Sequence, residues 1–199
     1  MIVVGITGGL ASGKSEVTKI FKKIGAMVFD ADQAAKAAVK KGKPAYRAII
    51  KIFGPGYLGK NKEIDRKKLA RYVFDHPGAL HKLNILIHPT VIFDCLNVIE
   101  KFRGKRGILA LDVPLLFESK MESLGDFTVV VSSKETLLLK RAARKGIPKD
   151  LARKILASQW PLKKKEKLAD FVVRNNGSPK DLEKQVREIF GKLKQGGNA

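Results

Sequence analysis

The chain has 199 residues, 44% of them hydrophobic, which suits one α/β domain and excludes a disordered or fibrous chain. Its single cysteine, Cys95, excludes an internal disulfide and fits a reducing cytosol. A net charge of +21 points to polyanionic partners, although the basic residues are spread along the chain as a solvated surface rather than gathered in a tail.

Ile2, Val3, Val4 and Ile6 form a short β-branched run, and Val17, Ile20, Phe21 and Ile24 recur at helical spacing. Between them lies Gly8-Gly9-Leu10-Ala11-Ser12-Gly13-Lys14-Ser15, which fits G-x-x-x-x-G-K-[S/T] without a gap. Strand, glycine loop and helix are the context this motif needs. The glycines let backbone N–H groups turn inward, and the positive end of the helix adds to an anion site. Lys14 can reach the β and γ phosphates of a nucleoside triphosphate, and the Ser15 hydroxyl can ligate Mg²⁺ bridging them. Gly8, Gly9, Ala11, Ser12, Gly13, Lys14, Ser15 and Glu16 are therefore the candidate nucleotide-binding residues.

Gly25 ends the first helix, and Met27-Val28-Phe29 reads as a second strand ending in Asp30-Ala31-Asp32. Ligands of doubly wound sheets sit at the carboxyl ends of strands. One of these two carboxylates is expected to cap the next helix and the other to work, with Asp32 the better candidate. Residues 33–103 read as a helical insertion. Ala34, Ala35, Ala38 and Val39 form one face, Tyr46, Ile49, Ile50 and Phe53 a second, Leu69, Tyr72 and Val73 a third. His88-Pro89 is expected to interrupt the last helical run. Cys95 lies in that run and reads as core.

Gly107 to Leu111 is a buried strand ending at Asp112, which reads equally as an acidic residue near Mg²⁺ and as a turn cap. Phe127 to Val131 is another strand, and Ser132 with Glu135 predicts a capping box for a helix carrying Leu138, Arg141 and Arg144. Pro148 starts a helix running to about Gln159. The basic stretch from Trp160 to Lys167, with Arg141, Arg144 and Arg153, predicts a cationic lid over about 141–168. Asp170 to Val173 is the last strand, Asn175-Asn176-Gly177 a turn, and Ser178-Pro179 the start of a final helix, with Gln195 to Ala199 frayed. Five strand signals alternating with helices predict an α/β fold, a P-loop three-layer arrangement with a five-stranded parallel sheet, a helical acceptor-binding insertion and a lid, all in a single domain over 1–199. No signal peptide is visible, and no stretch approaches the ~20 apolar residues of a membrane span, so a cytoplasmic protein without a membrane partner is expected.

Taken together these stretches resemble the dephospho-CoA kinase family. The residues that carry the resemblance are Gly5 to Ser15, Asp30-Ala31-Asp32, Ile64-Asp65-Arg66 with Leu69 and Phe74, Leu83-Asn84 before His88-Pro89, Asp112 to Glu118, Lys140-Arg141, Gln159, and Ala169-Asp170 before Asn175-Asn176-Gly177. The resemblance implies transfer of the ATP γ-phosphoryl group to the ribose 3′-hydroxyl of dephospho-CoA, with ATP and Mg²⁺ required. It also implies Asp32 as base, Lys14 and Arg141 as charge-neutralising catalytic residues, Ser15 on the metal, Asn175 near the adenine, and the region of Arg66 and His88 facing the acceptor. A monomer with no nucleic-acid partner is expected. The sequence departs from the family where Glu16 replaces a usual threonine, Arg174 a frequent aspartate, and residues 60–63 lack an Asp-Gly pair. Rival readings are another small-molecule kinase, a GTP-dependent switch, which lacks its Asn-Lys-x-Asp signature here, and a nucleic-acid-dependent ATPase, for which the 7% aromatic content offers few stacking platforms.

Overall fold

The computed structural model describes residues 1–196. Its elements, in chain order, are β1 (Ile2–Gly8), α1 (Lys14–Lys23), β2 (Met27–Asp30), α2 (Ala31–Ala38), α3 (Pro44–Phe53), α4 (Arg66–Asp75), α5 (Pro77–Phe102), β3 (Ile108–Asp112), β4 (Phe127–Ser132), α6 (Glu135–Arg144), α7 (Lys149–Ala157), α8 (Leu162–Leu168), β5 (Phe171–Arg174) and α9 (Pro179–Gly196). The chain divides into two compact units, residues 1–31 with 95 onward, and Asp32–Asp94.

In the first unit every strand pair is parallel, in the order β2-β3-β1-β4-β5. The fold is α/β, with a five-stranded parallel sheet. β1 is central because its residues bury both faces: Val4 and Ile6 are fully enclosed, and Leu109, Leu111, Val129 and Val130 are enclosed beside them. Register brings Ile6 opposite Asp112 and Asp30 opposite Asp112. β2 and β3 thus finish level while β1 runs on to Gly8, with Asp112 beside the strand that feeds the glycine loop and Asp30 one strand further out. Under the sheet, α1 and α9 close one core, where the Phe21 and Phe190 rings meet edge to face at 5.7 Å. Full burial of a ring such as Phe21 is worth about 1.5–3 kcal/mol. α9 is capped by reciprocal bonds: the Asp181 N–H donates to Ser178 Oγ (3.2 Å) and the Ser178 N–H to Asp181 Oδ2 (3.0 Å).

The second unit has its own small core of Val39, Ala45, Tyr46, Ile49, Ile64, Leu69 and Val73. The spacing that predicted helices here reflects these buried faces. Asp65 caps α4 by accepting from the Lys68 N–H at 3.0 Å.

Four local expectations are corrected. His88-Pro89 does not interrupt α5, which runs through Pro89 for 26 residues. Pro89 is exposed, so the carbonyl freed by its missing N–H can be hydrated. As a result α5 is long and apolar enough, by length and composition alone, to match a membrane span, which the sequence was expected to lack; Val91 and Cys95 within it are buried in protein. The Ser132–Glu135 capping box does not form, because Ser132 ends β4 and its hydroxyl donates to Glu166. The start of α6 is held instead by the Asn176 side chain, whose Oδ1 accepts from the Lys134 N–H at 2.9 Å. Gln195 and Gly196, expected to be frayed, belong to α9, and residues 197–199 lie outside the described residues.

Candidate active site

The glycine loop leaves β1 at Gly8 and enters α1 at Lys14. Gly8 has no room for a side chain: a Cβ there would lie 2.5 Å from Ser12 Oγ and 2.6 Å from the Val131 carbonyl oxygen. Gly13 adopts φ +98°, and a Cβ on it would fall 2.0 Å from Asn175 Nδ2. Ala11 takes a left-handed φ of +57°. The loop is closed by the Ser12 N–H donating to the Gly9 carbonyl (3.1 Å), and α1 starts with the Glu16 and Val17 N–H groups both donating to the Gly13 carbonyl. The first N–H groups of such a helix have no intrahelical partner and face an anion. Ser12 Oγ is buried and finds no hydrogen-bond partner among the described residues. A buried orphan hydroxyl in a glycine loop that runs into a helix N-terminus is the fit expected for a phosphate oxygen.

Lys14 is largely buried and forms an ion pair with the Asp112 carboxylate at the end of β3. Asp112 thus places its charge on the loop lysine. Pairing also lets an ammonium and a carboxylate share a site that would charge neither one cheaply alone. Asp30 ends β2 next to Asp112 in register, and Asp32 lies two residues on, in the first turn of α2. Ser15 and Glu16 are exposed on the first turn of α1, and Glu16 pairs with Lys19 at 2.9 Å on the surface.

On the other side of the loop, Arg141 and Asn175 meet. The Asn175 carboxamide N–H donates to the Ser12 carbonyl at 2.8 Å, and the Asn175 backbone N–H to Ser132 at 2.8 Å. Arg141 donates to the Asn175 carbonyl (3.0 Å) and to Ser133 Oγ (3.2 Å), with Ser12 O at 3.5 Å. Lys14, Ser12, Gly13, Arg141 and Asn175 are therefore brought together around one loop. Asp170, a motif residue without a predicted role, ties β4 to β5 by accepting from Thr128 N–H (2.7 Å) and Oγ1 (2.8 Å).

Sequence reasoning gave no role to Gln159 or Glu118. The Leu10 N–H donates to Gln159 Oε1 at 3.2 Å, and Glu118 accepts from the Trp160 N–H at 2.8 Å. The only signal in the sequence was that both sat in motif stretches. Lys165, read among the solvated or lid lysines, is fully buried and pairs with Glu118 at 2.7 Å. In the second unit, His88 is half-buried and burial pushes its pKa down. Among the described residues no cluster of three or more His, Cys, Asp and Glu side chains could hold a metal ion. The arrangement can bind a polyphosphate in the loop and set a cation against its terminal group.

The family model described as dephospho-CoA kinase matches residues 2–181. The dephospho-CoA kinase of Geobacillus kaustophilus is 42% identical over 191 residues, covering 95% of each chain. The solved dephospho-CoA kinase from Campylobacter jejuni superposes with a TM-score of 0.71 at 27% identity over 98% of both chains. A crystal structure from Thermus thermophilus gives a TM-score of 0.77 at 31% identity, covering 96% of this chain and 97% of that one. The chain belongs to the dephospho-CoA kinase family, the ATP-dependent kinases of the final step of coenzyme A biosynthesis.

Proposed function

We propose that Gly8–Ser15 holds the ATP phosphates and that Asp32 is the base for the acceptor ribose 3′-hydroxyl. The observation that carries the reading is the loop itself: a buried Ser12 hydroxyl without a partner among the described residues, and Lys14 held at the loop by Asp112 at the carboxyl end of β3. Phosphoryl transfer of this kind rests on positioning and charge neutralisation, without a covalent intermediate. Lys14 offsets the charge that grows on the transferring group, and Arg141 supports it from the α6 side. Removing either is expected to cost on the order of 10²-fold or more in rate. Asn175 holds the last turn of the loop and borders the nucleotide on the adenine side. Ser15 and Asp112 offer a hydroxyl and a carboxylate, a hard oxygen donor set that would hold Mg²⁺, and the ion would supply further neutralisation of phosphate charge. Asp32 receives the hydroxyl proton, which needs only hydrogen-bond reach in the substrate complex.

Residues 33–103 supply the acceptor contacts, with Arg66 and His88 among them, and about 141–168 form a lid whose exposed cations include Arg144 and Arg153. The protein acts as a cytoplasmic monomer. The test is a coupled assay of ATP-dependent phosphorylation with dephospho-CoA, adenosine and AMP as parallel acceptors, run on wild type and Asp32→Asn. Turnover only with dephospho-CoA, and loss of most of it in a folded Asp32→Asn that still binds ATP, is the expected result. Near-full activity of Asp32→Asn would sink the base assignment, and preference for adenosine or AMP would sink the acceptor.

A further inference from the structure

The turn between α7 and α8 is fastened to the body of the first unit by groups outside the glycine loop. Lys165 lies on α8, is fully buried, and donates to Glu118 at 2.7 Å and to the Pro114 carbonyl at 3.4 Å. A buried lysine is retained only where a carboxylate and further acceptors take up its charge. The same Glu118 oxygen accepts from the Trp160 N–H, while the other, Oε2, is buried without a partner among the described residues. The Pro114 carbonyl also accepts from Thr7 Oγ1 at 2.9 Å, one residue before the glycine loop. The Trp160 ring lies parallel to Phe117 at 6.4 Å, with Lys164 Nζ 3.4 Å from its centroid. Both sides of this turn touch the loop: Gln159 accepts from the Leu10 N–H, and Leu162 comes within 3.4 Å of where a Gly9 Cβ would stand.

We propose that Glu118 and Lys165 are positioning residues for the phosphate loop: they fasten the α7–α8 turn, and the turn holds the crown of the loop through Gln159 on Leu10. The pair neither touches nucleotide nor moves a proton. It fixes the turn by a charge buried beneath it, so the amide of Gln159 stands where the Leu10 N–H requires it. The sequence run of lysines from Lys163 to Lys167 is thereby split in function. Lys165 is an inward anchor, Lys164 covers the tryptophan, and any lid motion hinges before Gln159. Displacements on the order of 1 Å at a positioned group can cost about 10²-fold in rate.

This proposal rests on the reading of Gly8–Ser15 as an ATP site, and its test separates the two. Trp160 is the chain's single tryptophan, so its emission reports on the turn alone. ATP binding is measured by calorimetry, Trp160 emission is followed in the same titration, and kcat and KM for ATP are measured. The proteins are wild type, Gln159→Ala, Glu118→Ala/Lys165→Met, which removes both charges together, and the triple variant. Wild type is expected to bind ATP with a change in Trp160 emission. Gln159→Ala and the charge-free pair are each expected to bind ATP, to lose that change, and to lose about tenfold in kcat/KM for ATP. The triple variant should be no worse than either, because all act through one contact. If the charge-free pair does not fold, Glu118→Gln, which keeps a carbonyl for the Trp160 N–H, replaces it in the same comparison. Lower melting temperature with unchanged kcat, KM and emission response overturns the proposal and leaves the pair merely structural. So do losses that multiply in the triple variant, or an emission unmoved in a wild type that binds ATP. A wild type that binds no ATP overturns the nucleotide reading beneath it.

Discussion

Replacing Gly13 by alanine tests the clamp on the end of the phosphate loop, and its damage has two separable parts. The first is backbone strain, since a residue with a Cβ at φ +98° pays about 1–2 kcal/mol. The second is a collision: the new Cβ would stand 2.0 Å from Asn175 Nδ2, so the carboxamide must leave the Ser12 carbonyl to which it donates at 2.8 Å. Breaking that bond, which leaves the Ser12 carbonyl only the longer contact from Arg141 at 3.5 Å, costs about 1–3 kcal/mol. Together the expected loss is roughly 2–5 kcal/mol, and at ~2–4 °C per kcal/mol for a chain of this size the melting temperature should fall by roughly 5–20 °C. Asn175→Ala already removes the amide, so in that background Gly13→Ala should cost only its strain. The four proteins of the cycle, unfolded by heat and by denaturant and titrated with ATP, should show a double variant better than the sum by about 1–3 kcal/mol. Additivity to within about 0.5 kcal/mol would refute the clamp.

Two further outcomes concern groups away from the loop. Burial pushes the Cys95 thiol up to about 11, so near pH 8 only about one molecule in a thousand carries a thiolate. Alkylation of the native protein should be slow and limited by unfolding, and fast in denaturant; equal rates would place the thiol in water. Burial lowers the His88 pKa, so the unfolded chain takes up that proton first as pH falls. The stability due to neutral His88 is complete above about pH 6.5 and is lost as the pH falls from there through the lower folded value. Melting curves between about pH 8 and pH 5 should therefore fall more steeply for wild type than for His88→Gln, and parallel curves would remove His88 from the account.

What could be read in the sequence follows from which signals are local. The glycine loop was legible because its residue types are fixed by backbone space, as the contacts a Cβ would make at Gly8 and Gly13 show. Strands with both faces buried, such as Val129 to Val131, read as continuous apolar runs. Misreadings came where a distant partner overrides a local rule. Ser132 looked like a cap because its ladder neighbours and Glu166 are invisible in a window of a few residues. Pro89 looked like a break because nothing local tells that its helix continues at an exposed position. The contacts of Lys165, Asp112 and Asn175 were hidden for the same reason: each partner lies more than forty positions away.

The pairing of β2 with β3 has a consequence for how the chain folds. These strands are neighbours in the sheet, yet residues 31–107 lie between them. Closing a loop costs entropy that rises with the logarithm of its length, about 0.6 kcal/mol per doubling. The segment Asp32–Asp94 is contiguous and has its own buried cluster, so its collapse shortens the effective loop before the sheet must close. The pairings of β1 with β3 and with β4 span still longer stretches, residues 9–107 and 9–126, and Asp32–Asp94 lies inside both, so one local collapse shortens all three closures.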